Sequence, residues 1–153
     1  LPDSLKQLAD WFTQVYTYSE AETTALAETE ARQRWIQTLR QEQAMETLMP
    51  EALEKPIKLN YPLKSSLKYQ RRFMACLSQT PKPVALGVFF DRTGALAEDP
   101  ALLRGSGYRF LNQEAMEQLK QYPDFPEQKA QKAFTVEVEI DYDSKACLTV
   151  DRL

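Results

Sequence analysis

The chain contains no histidine. Ser-His-Asp and Cys-His catalysis, HExxH zinc hydrolases and every histidine-containing metal site are thereby excluded. Glycine is nearly as scarce. Gly87, Gly94, Gly105 and Gly107 are the full set, and all lie in one short stretch. Neither GxxxxGK[ST] nor GxGxxG can be assembled from them, so a P-loop and a Rossmann phosphate site are excluded as well. No apolar run of about 18 residues is present, and no signal-peptide pattern opens the sequence. Cysteine is limited to Cys76 and Cys147. Two thiols without histidine make a poor zinc site, since zinc takes four N or S ligands. They stay free in a reducing compartment and can pair in an oxidising one. Binding, scaffolding or carboxylate chemistry remains.

With 153 residues, 43% of them apolar and 27% charged, the chain is globular, sized for one domain or a small domain with a helical extension. The net charge of −3 is unevenly spread. Residues 1–54 carry ten acids against four bases, 55–83 carry seven bases and no acid, and 84–153 carry twelve acids against eight bases. The basic stretch is Lys55, Lys58, Lys64, Lys68, Arg71, Arg72 and Lys82. It is expected to pack on the acidic helices before it. A nucleic-acid partner is not expected, because the pI is about 5.1 and Tyr61, Tyr69 and Phe73 fit no RNP-type motif.

Residues 3–49 contain neither glycine nor proline and read as helix. Leu5, Leu8, Trp11, Phe12, Val15 and Tyr16 recur at helical spacing behind Asp3, a candidate cap. Ser19 with Glu22 matches a capping box, so a second helix is predicted from there, carrying Leu26, Ala31, Trp35, Ile36, Leu39 and Met45 and ended by Pro50. The connector 50–83 holds five of the nine prolines. Within it, 57–62 alternates as a short edge strand closed by Pro62, and 64–77 is predicted as a short helix.

From Val84 the pattern becomes a buried-strand run to Phe90. The turn Asp91-Arg92-Thr93-Gly94 follows, with a return strand predicted near 95–98. Asn112 is placed as the N-cap of a helix running to about Tyr122, with Leu111 and Met116 as its hydrophobic staple. Phe134, Val136, Val138, Ile140 and Tyr142 then alternate with Thr135, Glu137, Glu139, Asp141 and Asp143, giving the clearest amphipathic strand in the chain. The expected fold class is α+β: a helical segment over 1–54, then a domain over 55–153 with a small three-stranded antiparallel sheet packed with a helix.

Over about 55–143 the sequence resembles the C-terminal domain of the TonB family, the periplasmic energy transducers of Gram-negative bacteria. The pieces, in order, are Tyr61-Pro62, a strand containing Gly87-Val88, the Asp91–Gly94 turn and the stretch Leu103 to Tyr108. Leu111 to Ala115, Phe125-Pro126 and the terminal 136–140 strand complete them. Together they resemble the family pattern YP…GxVxVxFxVDxxGxV…SSGxxxLDxAAxxAVxxWxFxP. The chain departs from it where Gly105-Ser106-Gly107 replaces Ser-Ser-Gly and where Tyr122-Pro123-Asp124-Phe125 replaces the tryptophan-containing helix end. The family's Gln-Pro element before Tyr-Pro is also absent, and the helical 1–54 has no counterpart.

The resemblance implies a binding module, not an enzyme, with no catalytic residue, cofactor or metal. It implies a periplasmic location and an inner-membrane anchor, which the non-initiator Leu1 leads one to expect upstream. In that compartment Cys76 and Cys147 are expected to form a disulfide. The implied partners are a peptide segment of an outer-membrane transporter and an inner-membrane proton-channel complex. The peptide would add as a strand to an exposed edge, expected here at Phe134–Tyr142. Tyr61, Pro62, Phe134, Val136, Val138, Ile140 and Tyr142 are the residues expected to bind it. The row Glu137, Glu139 and Asp141 would favour a basic or polar peptide. Strand exchange leaves a homodimer open. The alternative is a periplasmic adaptor or assembly protein on the same fold, using Trp11, Phe12, Trp35 and Ile36 of its helical segment. A glycosidase with paired carboxylates is disfavoured, since the acids fall on solvated faces.

Overall fold

The computed structural model describes residues 3–62, 75–127 and 130–149. Two helices open the chain: α1 (Asp3–Tyr16) and α2 (Ala25–Glu42). The second begins later than the Ser19/Glu22 pattern suggests, because Thr24 is the cap, its side chain accepting the Ala27 N–H at 3.1 Å. It also stops well before Pro50. Gln43 ends it, Ala44 takes a left-handed φ of 51°, and Met45 lies in the turn beyond.

Among the described residues, five strands and a third helix follow: β1 (Glu51–Ala52), β2 (Ile57–Tyr61), β3 (Val84–Phe90), β4 (Ala101–Arg104), α3 (Arg109–Lys120) and β5 (Lys132–Tyr142). The fold is α+β, and the sheet is mixed and five-stranded instead of three-stranded and antiparallel. β4, β3 and β5 form an antiparallel trio, with Val84 opposite Val138 and Phe90 opposite Lys132. On the other flank of β5, β1 and β2 both pair parallel to it, Glu51 opposite Phe134 and Ile57 opposite Val138.

Proline and side-chain chemistry move the return strand. Asp91 Oδ1 accepts the Thr93 and Ala95 N–H groups at 2.8 and 3.3 Å, and Gly94 supplies a φ of 82°. Only a single bridge, Phe90 with Leu96, forms at once. Pro100 has no N–H to donate, and laddered pairing resumes after it at β4. The predicted helix at 64–77 falls largely outside the described residues. At its end, Ala75 is not helical but bridges to Leu148. Lys64, Lys68, Arg71 and Arg72 of the basic stretch also fall outside them.

Every residue of β3 is buried because the sheet is covered on both faces. Val84, Leu86, Val88 and Phe90, with Phe134, Val136 and Val138, face Ala115 and Leu119 of α3. Phe89 and Ala133 face Leu39 of α2, with Trp35, Met45 and Leu48 around them. Phe125 turns back onto the first core as the sequence implies, its ring 4.9 Å from that of Phe90. A third cluster of Tyr61, Tyr108, Phe110 and Leu111 is completed by Val15, Tyr16 and Tyr18 from the end of α1 and the turn after it. The other end of α1 is open to solvent: Leu5 and Leu8 are 49% and 59% exposed.

Candidate functional site

The residues expected to bind a partner are gathered around one strand, but most of them lie in its core. Phe134, Val136 and Val138 are buried against α3, and Tyr61 and Pro62 are buried beside them. Ile140 and Tyr142 are half-buried. β5 is not an edge. Its backbone pairs with β3 on one flank and with β1 and β2 on the other, in register through Tyr61 opposite Tyr142. The physical reason is the hydrophobic alternation of β2: Ile57, Leu59 and Tyr61 are buried between exposed Lys58 and Asn60, so this segment fills the flank that a peptide was expected to occupy. The acidic row does face outward, and Glu137 meets Arg104 at 2.5 Å.

The outermost strand on the other side is β4, which pairs only with β3 among the described residues. Three features shape its outer edge. The turn 19–22 crosses the end of the strand, with Gly105 N–H donating to Glu22 O at 2.8 Å and Ser19 N–H to Gly107 O at 2.9 Å. On the α3 face, Leu102 shares a cavity of about 230 Å³ with Arg109, Asn112, Gln113 and Met116. On the α2 face, a cavity of about 340 Å³ lies among Leu102, Leu103, Ala27, Glu30, Ala31 and Arg34. The free edge thus has a hollow on each of its faces. It escaped the sequence reading because the return strand was expected at 95–98. Pro100 followed by the apolar run Ala101-Leu102-Leu103 was the available signal.

Arg104 fixes the end of this strand. It donates to Glu28 of α2 at 3.0 Å and to the Pro83 carbonyl at 3.2 Å, besides its pair with Glu137 of β5. The Gly-Ser-Gly turn behind it is held by buried polar groups. Asn112 is not the N-cap of α3. Tyr108 takes that position without a side-chain bond, and Asn112 sits in the first turn. Its Oδ1 accepts the Ser106 N–H at 2.8 Å and lies 2.7 Å from Ser106 Oγ. Leu111 is buried in the tyrosine cluster while Met116 packs on the sheet core, so the two form no staple.

Farther along α3, burial raises the Glu114 carboxyl above the usual range, and neighbouring Glu117 adds to the effect. Glu114 borders a third hollow of about 460 Å³, between α1 and α3, with Trp11, Val15, Arg109 and Phe110. Cys76 and Cys147 are joined in a disulfide with their Cα atoms 4.9 Å apart. Among the described residues no group of three or more His, Cys, Asp or Glu side chains is placed to hold a metal ion.

No protein-family model, curated protein or solved structure matches the chain.

Proposed function

We propose that the chain is a periplasmic protein-binding module of the TonB C-terminal type, which couples an inner-membrane energy source to outer-membrane transporters by pairing an edge strand with an extended peptide. The edge is β4, not β5. The observation that carries this reading is the hollow on each face of that unpaired edge. An added strand places successive side chains on opposite faces, so main-chain bonds supply affinity while the paired hollows select alternate residues. The Cys76–Cys147 disulfide is in keeping with an oxidising compartment.

An NMR titration of the labelled chain with peptides from the N-termini of outer-membrane transporters tests the proposal. Shifts are expected at Ala101–Arg104 and at Ala21 and Glu22. Ala31→Phe, which fills the α2-side hollow from a helix surface, should abolish them. Shifts confined to β5, or none at millimolar peptide, would overturn the assignment. A second reading, an adaptor or assembly protein on the same fold, is favoured by the exposed Leu5 and Leu8 of α1. Under it, Leu5→Ser with Leu8→Ser removes self-association and leaves the peptide titration unchanged.

A further inference from the structure

Residues 75–79 form a strap across the tips of three tyrosines that come from different parts of the fold. Tyr61 of β2 donates its hydroxyl to the Ala75 carbonyl at 2.6 Å. Tyr142 of β5 accepts the Leu77 N–H at 2.9 Å. Tyr108, just ahead of α3, accepts the Gln79 N–H at 3.0 Å and donates to the Gln79 carbonyl at 2.8 Å. The strap backbone is therefore gripped at every second residue. Tyr61 and Tyr108 are 1% and 0% exposed; the Tyr61–Ala75 bond is buried and those to Leu77 and Gln79 are partly buried, which limits competition from water. Burial also holds the Tyr61 hydroxyl far above its ordinary pKa, which keeps the donated proton in place.

The intervening residue is fastened differently. Cys76 N–H donates to Leu148 O at 2.7 Å, Ala75 and Leu148 form a parallel bridge, and Cys76 is bonded to Cys147. These contacts attach the tail that follows β5. Residues 143–149 are exposed apart from half-buried Cys147, and none belongs to a core cluster. Among the described residues, their other backbone-to-backbone bonds are Asp143 N–H to Tyr61 O and, inside the turn, Ala146 N–H to Asp143 O; Lys145 N–H donates to Asp143 Oδ1 within the same turn. The strap is held by the fold, whereas, among the described residues, 144–149 are held by the strap, by the disulfide and by a contact of Cys147 Sγ with the Tyr142 hydroxyl at 3.7 Å.

We propose that the Cys76–Cys147 disulfide is a redox-operated latch: reduction releases residues 144–149 and leaves the Ala75–Leu77 backbone as an open strand edge, on a strap that the tyrosines keep in place. The reductant is a dithiol. One thiolate attacks a sulfur of the pair and forms a mixed disulfide, expelling the other sulfur as a thiolate that takes a proton. The second thiol of the reductant then displaces the remaining cysteine. Two electrons and two protons pass to Cys76 and Cys147, and the reductant leaves as its own disulfide. In the oxidised protein the tail occupies the edge; in the reduced protein the edge is open to strand addition by an extended peptide.

Amide hydrogen exchange on the labelled protein, before and after dithiothreitol, tests the latch. In the oxidised state Cys76, Leu77 and Gln79 are all protected. On reduction the Cys76 amide is expected to exchange faster than those of Leu77 and Gln79 by about tenfold or more, with backbone shifts changing only near 75–79 and 142–149. Cys147→Ser should reproduce this pattern without reductant, and it leaves the three tyrosines untouched. A Cys76 amide as protected as its neighbours in the reduced protein would overturn the proposal. So would loss of protection at all three positions together, since the disulfide would then be holding the strap itself.

Discussion

Ala44 occupies a position where helices commonly place glycine. Its φ of 51° lies in the left-handed region, and the bonds around it close helix α2 in a Schellman arrangement. Ala44 N–H donates to Gln41 O at 3.4 Å and Met45 N–H to Arg40 O at 3.0 Å. A left-handed alanine costs roughly 1–2 kcal/mol, of which glycine recovers part after its greater loss of backbone freedom. Ala44 is exposed, so removing its methyl group forfeits no packing. Ala44→Gly is therefore expected to stabilise the protein by about 1 kcal/mol, read as a higher urea midpoint at unchanged slope. A lower midpoint would contradict this account. Asn112 shows the complementary limit of single-residue reading. Its type marks a capping acceptor correctly, but the groups it satisfies belong to Ser106, six residues earlier, a partner that depends on how the Gly-Ser-Gly turn folds.

At the scale of elements, side-chain periodicity exposes faces and hides edges. The alternation from Phe134 to Tyr142 identifies a strand and the side of it that meets the core, and the structure places Phe134, Val136 and Val138 there. The same alternation cannot say which backbone flank is paired, because ladder hydrogen bonds lie in the sheet plane, where side chains leave no signature. The short alternating run of β2 could be read as a strand, but not as the parallel neighbour of β5 some 80 residues away. Gly87 shows what an element-level contact adds to a sequence feature. A Cβ built there would lie 2.7 Å from the indole of Trp35, so the glycine lets α2 approach β3 closely. Gly87→Ala must push Trp35 aside, at about 1–3 kcal/mol. The cost should shrink in a Trp35→Leu background, because the two positions are in contact. Equal costs in both backgrounds, measured by a double-mutant cycle in urea, would show that the indole is not what requires glycine.

Across the whole molecule, the disulfide joins parts of the chain that the sequence keeps 71 residues apart. The loop it closes includes β3, β4, α3 and β5, so most of the sheet core forms within a covalent ring, while β2 and α2 pack on it from outside. In the chain-entropy model such a ring removes about 4 kcal/mol of freedom from the unfolded chain. Few native contacts depend on the bond, since the three clusters draw nothing from residues 143–149. Reduction should therefore lower the unfolding free energy by up to about 4 kcal/mol while the native sheet persists. The shortfall measures the freedom that the tail regains in the folded protein. Urea unfolding of the oxidised and reduced chains checks both parts. The oxidised form should show the higher midpoint and the smaller slope, because a cross-linked unfolded state exposes less surface. Equal unfolding free energies in water, slope times midpoint, would mean that the released tail gains as much freedom in the native protein as the ring removes from the unfolded one. A reduced chain without a cooperative transition would mean that the sheet itself needs the bond. Between these limits the cysteine pair stabilises the fold through its unfolded state and acts on its native structure only at the tail.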